Sequence, residues 1–118
     1  LHNALAFSSL YIGEGGTTAS EAVALGVPAI YINSLRAGYL DEEEQRGMLF
    51  QLRTTDEIKT CALKILNDKN SKNNFMEKQE KLLNDKIDPT AFLVWFIENY
   101  PESKRIMKEN PDYQYRFK

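Results

Sequence analysis

The chain contains one cysteine and one histidine, and it has no long apolar run. The single cysteine, Cys61, excludes an internal disulfide, and no group of residues has the spacing of metal ligands. A membrane-spanning helix needs about 20 apolar residues, and no segment approaches that length. The lone histidine, His2, lies at the chain start, where we expect no catalytic role. We therefore expect no metal, no cofactor and no membrane span.

Neither sign of charge predominates. Fifteen Lys and Arg residues against seventeen Asp and Glu residues give a net charge of −2, so no positive field attracts nucleic acid or anionic lipid. No segment has the pattern of a signal peptide, and we expect a cytoplasmic protein. The length of 118 residues is typical of one domain.

Short apolar runs alternate with helical patterns in residues 1–70, which we interpret as a Rossmann-like half. Strands are predicted near residues 10–12, 29–33 and 48–52. Helices are predicted for residues 17–25, 41–46 (capped by Asp41) and 54–67 (with a capping box). The first two are predicted to end at Gly26 and Gly47. The alternation predicts an α/β fold, specifically half of a doubly wound parallel sheet with flanking helices.

Residues 71–118 show helical patterns only, and we interpret them as a helical C-terminal extension of the same domain. The segment 89–97 is apolar on almost all sides and opens on Asp88 as its N-cap. Its aromatic residues recur at a helical spacing that is typical of packing. The last eight residues are predicted to be a polar, aromatic tail.

The strand near residues 10–12 leaves one edge of the predicted sheet bare. An unpaired edge can pair with another chain, so self-association with a second copy is predicted. The chain also begins without Met and inside an apolar helical pattern. We expect it to be the C-terminal piece of a longer protein whose N-terminal domain is its partner.

The stretch that bears on function is IGEGGTTASEAVALGVPAIYIN, residues 12–33. Ligands of open α/β sheets bind at the carboxyl ends of the strands, and glycines let the backbone approach a ligand closely. The helix that follows directs free N–H groups at the loop, as in phosphate sites. Thr17 and Thr18 can add hydroxyl donors, and Glu21 is suited to accept from sugar hydroxyls. The alternative is a short turn that merely needs space.

Three common motifs are absent from this stretch. The dinucleotide pattern G-x-G-x-x-G fails because Thr18 occupies the third glycine position, and no Gly-Lys-Ser/Thr follows as in a P-loop. The G-x-S-x-G nucleophile elbow is absent as well.

The whole string resembles the C-terminal half of the GT-B fold, over about residues 1–66. It is similar to an uncharacterised family related to UDP-N-acetylglucosamine 2-epimerase, whose members carry G-x-G-G-T-x-x-x-E-A-A-x-L-G-x-P. The lipid-linked muropeptide N-acetylglucosaminyltransferase has a similar T-x-S-E step. The resemblance implies two Rossmann-like domains with a nucleotide sugar, expected to be UDP-linked, between them, and it makes residues 1–70 a Rossmann-like nucleotide-binding half. It implies phosphate contacts from the loop and the helix start, and a ribose contact from the glutamate: Gly15, Gly16, Thr17, Thr18 and Glu21.

Two departures from the epimerases concern the phosphate site. The epimerases have Asp-Ser-Gly-Gly where this chain has Glu-Gly-Gly-Thr at residues 14–17. They also carry an arginine just after the next strand, whereas Arg36 lies further along the loop and is a candidate to reach a diphosphate. Their acid and base residues come mostly from regions that precede this sequence, so the resemblance implies no catalytic residue here.

Two functions are therefore expected as alternatives. The first is the nucleotide-sugar-binding part of a UDP-sugar epimerase or glycosyltransferase, inactive without its N-terminal domain. The second is a non-catalytic interaction domain, with a purely structural loop and with the helices of residues 71–110 as a docking surface.

Overall fold

The computed structural model describes residues 1–118, apart from the side chain of His2. Three short strands are present: β1 (Tyr11–Gly13), β2 (Ala29–Tyr31) and β3 (Leu49–Gln51). Seven α-helices and a final 3₁₀ helix (Pro111–Phe117) surround or follow them. The α-helices are α1 (His2–Ala6), α2 (Gly16–Ala24), α3 (Gly38–Gln45), α4 (Thr55–Asn67), α5 (Ser71–Asp85), α6 (Pro89–Glu98) and α7 (Glu102–Glu109).

The three strands form one parallel sheet in the order β1-β2-β3. Every residue of the central strand, β2, is buried. Successive side chains of a strand point to opposite faces, so both faces of the sheet are covered. The predicted α/β class, with a parallel sheet and flanking helices, is confirmed at this level.

β2 and β3 are each two residues shorter than the sequence predicts, whereas β1 has the predicted length but begins one residue later. β1 includes Gly13, which pairs with Tyr31 of β2. Gly16 is already the first residue of α2. The predicted four-residue glycine loop is therefore a connection of only two residues, Glu14 and Gly15, between a strand and a helix.

The helix α3 begins three residues before the predicted start, with Ala37 rather than Asp41 as its N-cap. Leu40 lies in its first turn and is fully buried. The Asp41 carboxylate instead accepts hydrogen bonds from Gln51 Nε2 and Arg36, each at 2.9 Å. The burial of Leu40 and these two bonds account for the earlier start.

The two edges of the sheet differ. At β3, the backbone N–H of Gln51 donates to the Glu44 carboxylate at 2.8 Å, so α3 covers that edge in part. β1 is at the other end of the strand order and pairs only with β2, so its outer edge has no neighbouring strand. The predicted open edge at β1 is thus present, while self-association through it stays a prediction.

The chain divides into two compact units, Leu1–Lys81 and Leu82–Lys118. In the first, the predicted capping box of α4 is confirmed: Glu57 N–H donates to Thr54 Oγ1, and Thr54 N–H donates back to the Glu57 carboxylate. Those bonds lower the pKa of Glu57. Ile65 of α4 and Phe75 of α5 are buried in the core of this unit.

Two neighbouring residues of α5 bind the ends of two other helices. Gln79 Nε2 donates to the Ala24 carbonyl at the end of α2 at 2.7 Å. Lys78 Nζ donates to the Gly47 carbonyl just after α3 at 3.1 Å. Both helix ends pass into a glycine with positive φ, Gly26 and Gly47, as the sequence predicts for a helix stop. The Gln79 bond satisfies one of the carbonyls that a helix end leaves without an intrahelical partner.

The second unit has an aromatic core. The polar tail expected from the sequence is in fact the 3₁₀ helix, and its rings pack on α6. Trp95 stacks on Tyr113 with ring centroids 4.8 Å apart, and Phe92 meets Phe117 edge-on at 5.6 Å. The aromatic spacing of α6 therefore serves packing, as predicted. Across the part of the chain that the structure describes, no helix combines the length and apolarity needed to cross a bilayer.

The contact between Gly26 and Gln79 gives a first prediction. A Cβ at residue 26 would lie 2.9 Å from Gln79 Oε1, at a φ of +80°. We expect Gly26→Ala to lower the free energy of unfolding by about 2 kcal/mol, because it adds left-handed strain and displaces the Gln79 bond. Denaturant unfolding measures this loss.

Gly38→Ala is the matched control. A Cβ at residue 38 meets nothing within 4 Å, and alanine favours a helix over glycine by about 1 kcal/mol. We expect stability to be unchanged or raised. Equal losses in the two variants would contradict the assigned role of Gly26.

Cys61 gives a prediction about pH. It faces a cavity of about 780 Å³ between β3, α4 and α5, lined also by Phe50, Ile65 and Phe75. Burial raises the pKa of the Cys61 thiol, and the positive charge of Lys64 offsets part of that rise. A thiol with a raised pKa keeps its proton as the pH rises, so the folded chain holds less thiolate than the unfolded chain at pH 8. We expect the alkylation rate of the folded chain to rise at a higher pH than that of the denatured chain, and coincident pH profiles would contradict this.

Candidate functional site

The glycine connection lies at the carboxyl end of β1, where the sequence predicts a ligand site. Gly15 is the N-cap of α2 and has an extended conformation, with φ −84° and ψ 109°. Among the described side chains, none donates or accepts a capping bond at this helix start, and its first turn contains no acidic residue. The first backbone N–H groups of α2 have no intrahelical acceptor. The helix start is therefore electropositive and open to an anion.

The three glycines in and beside the connection, at residues 13, 15 and 16, differ in the space that surrounds them. A Cβ at residue 13 would clash with the phenol ring of Tyr11, 2.7 Å from its Cζ. A Cβ at residue 16 would lie 3.2 Å from Tyr39 Oη and 3.5 Å from Leu40 Cδ1. A Cβ at residue 15 would make only ordinary contacts, at 3.5 Å or more. Packing thus explains Gly13 and leaves little room at residue 16, but it does not require glycine at 15.

The remaining candidate residues of α2 lie near the same end of the helix. Thr17 is exposed, and Thr18 and Glu21 are half-buried. Glu21 lies three residues after Thr18 and four after Thr17, so the three side chains share one side of the helix. The arrangement brings two hydroxyls and one carboxylate close to the open helix start.

Arg36 lies in the loop between β2 and α3, and its guanidinium pairs with Asp41 at 2.9 Å. The hydrogen bonds from Gln51, and then from Arg36, lower the pKa of Asp41. Arg36 remains largely exposed. In this structure it acts as a surface ion pair at the start of α3, and a contact with phosphate stays a prediction.

Sequence reasoning did not identify the residue that joins the two loops at this edge. Asn33 Nδ2 donates to the Glu14 carbonyl at 3.3 Å, and Asn33 Oδ1 accepts from Leu35 N–H at 3.1 Å. Asn33 thereby ties the glycine connection to the loop after β2. A polar amide at the end of an otherwise apolar strand pattern was the available signal.

The three helices that follow the strands begin in different ways. α2 and α3 both lack a side-chain cap from the described residues. α4 is closed by its own capping box of Thr54 and Glu57. Two open helix starts therefore lie side by side at the carboxyl edge of the sheet.

Metal chemistry finds no support in the described side chains. No three of their His, Cys, Asp or Glu groups come together in a way that could hold an ion. The side chain of His2 lies outside this description.

No family model, curated protein or solved structure matches this chain. The family relation expected from the motif therefore stays a prediction.

The close contact of Gly13 with Tyr11 can be tested directly. We expect Gly13→Ala to lower the free energy of unfolding by about 1 kcal/mol, because the new methyl group must displace the Tyr11 ring. In a Tyr11→Ala background the same substitution has room and is expected to be neutral or stabilising. A double-mutant cycle from urea unfolding measures the coupling. An equal cost in both backgrounds would contradict the contact.

Proposed function

We propose that this chain is the nucleotide-sugar-binding part of a GT-B-like enzyme of the UDP-sugar epimerase or glycosyltransferase type. The connection at Gly15 and the start of α2 hold the diphosphate, and Glu21 holds the ribose. The catalytic groups and the rest of the site belong to the expected N-terminal domain, so this chain alone is inactive. A cytoplasmic location is part of the same proposal.

The single observation that carries the proposal is the glycine at the N-cap of α2. Ser, Thr, Asp or Asn at this position would stabilise the helix, and glycine leaves its first N–H groups without a cap. Packing does not require glycine at 15, since a Cβ there meets only ordinary contacts. An exposed, uncapped helix start beside two threonines is what a phosphate group needs.

The donors and the acceptor of the site suit different parts of a nucleotide. Backbone N–H groups and threonine hydroxyls donate hydrogen bonds, which suits phosphate oxygens. A carboxylate only accepts, which suits the vicinal hydroxyls of a ribose. The spacing of Thr17 and Glu21 by one helical turn, about 5.4 Å, supports the assignment of neighbouring ligand groups to them.

A second candidate function rests on a different surface. α6 exposes apolar side chains: Leu93 is 55%, Val94 50% and Ile97 72% exposed. Exposed apolar groups on one helix favour a protein-interaction role for the second unit. This alternative requires no ligand at the glycine connection, so nucleotide binding discriminates between the two.

The test is a titration of the isotopically labelled chain with UDP, followed by amide NMR. We expect saturable shifts centred on Gly15, Gly16, Thr17 and Glu21. Gly15→Asp is expected to abolish them, because its carboxylate caps the same N–H groups and repels phosphate. The fold should be kept, since an aspartate N-cap is at least as stabilising as glycine.

Two neutral variants separate charge from space. Gly15→Ala adds only a methyl group and leaves the N–H groups open, so we expect binding to persist. Gly15→Asn caps the helix without charge and should weaken binding less than Gly15→Asp. Absence of any saturable shift in the folded wild-type chain, or binding unchanged in Gly15→Asp, would contradict the proposal.

A further inference from the structure

A buried polar contact joins α2 to α3 behind the proposed site. Ser20 Oγ donates to Glu43 Oε1 at 2.5 Å, and Glu43 is only 8% exposed. Burying a carboxylate is unfavourable, and a hydrogen bond to it is stronger than one between neutral groups. Apolar residues would join the two helices without that desolvation cost. The polar pair therefore has a consequence beyond simple packing.

The consequence lies in the relative position of the two helices. Ser20 is one turn after Gly16, and Glu43 is one turn after Tyr39. At that end, the space beside Gly16 is occupied by Tyr39 Oη and Leu40 Cδ1. A hydrogen bond has a narrow range of length and angle, whereas apolar contacts tolerate sliding. The Ser20–Glu43 bond thus fixes where the first turn of α3 meets the first turn of α2.

We propose that Glu43 and Ser20 are positioning residues for the nucleotide site. Their bond holds Tyr39 against Gly16 and so defines the shape of the open helix start. Neither side chain contacts the ligand. The inference rests on the proposed function for its effect on binding, and on the geometry of α2 and α3 for its structural part.

Two substitutions at residue 43 separate positioning from stability. Glu43→Gln keeps an amide oxygen that can accept from Ser20, so we expect wild-type behaviour. Glu43→Leu keeps apolar volume but removes the acceptor, and it also removes the desolvation cost of a buried carboxylate, which offsets the loss of the bond to Ser20. Its stability should therefore be retained while the bond is lost.

The readouts are UDP affinity and the nuclear Overhauser contact between the Tyr39 ring and Gly16. We expect Glu43→Leu to bind UDP more weakly, by roughly threefold or more, because a helix start that is no longer held in one position must be ordered on binding, and to weaken that contact. Glu43→Gln should retain both. If Glu43→Leu does not fold, Ser20→Ala removes the donor instead and is judged by the same two readouts.

The outcomes decide the inference separately from the proposed function. Wild-type affinity and an intact Tyr39–Gly16 contact in a folded variant that lacks the bond overturn the positioning role. If the wild-type chain does not bind UDP, the proposed function fails. The ring contact alone then decides: its loss without the bond supports positioning, and its persistence overturns it.

Discussion

The close approach of α2 and α3 is the constraint on which the candidate site depends. α2 presents small residues to its surroundings: Gly16 meets Tyr39 and Leu40, and Ala19 is fully buried. Larger side chains there would separate the helices, since protein interiors are packed too closely to absorb added volume. Because both helices follow parallel strands, their closeness brings two uncapped starts to one edge of the sheet.

The opposite ends of these helices are held by α5. Lys78 binds the carbonyl after α3, and Gln79 binds the last turn of α2. A cation near a helix C-terminus is favourable because that end carries partial negative charge. Each helix is thus bonded at the end far from the site, while the end at the site stays open. Such an arrangement supports a preorganised binding edge, with its N–H groups fixed before a ligand arrives.

The sequence predicts those features that depend on local signals. The capping box at Thr54, the N-cap at Asp88 and the helix stop at Gly26 all involve residues within a few positions of each other, and all three are confirmed. The parallel sheet follows from the alternation of strands and helices. These features need no knowledge of the tertiary structure.

What the sequence does not predict depends on distant contacts. The start of α3 is set by Leu40 burial and by Gln51, ten residues beyond Asp41. The Ser20–Glu43 bond spans 23 residues, and the Gln79–Ala24 bond spans 55. The last segment is a 3₁₀ helix whose aromatic rings pack against those of α6. Propensity and periodicity reflect only residues that are near each other in sequence, so they do not predict such distant contacts.

The glycines show how structure changes the weight of a motif. In the sequence alone, the glycines at 13, 15 and 16 are equal evidence for a phosphate-binding loop. Gly13 lies too close to the Tyr11 ring for a side chain, and residue 16 has little room beside Tyr39, so neighbouring side chains account for glycine at both positions. Of the three, Gly15 alone has room for a side chain, and its extended backbone is one that any residue adopts. Because Asp, Asn, Ser or Thr at this N-cap would add stability, glycine there is consistent with the exchange of stability for function that is proposed for this site. The functional interpretation of the whole motif therefore rests on Gly15.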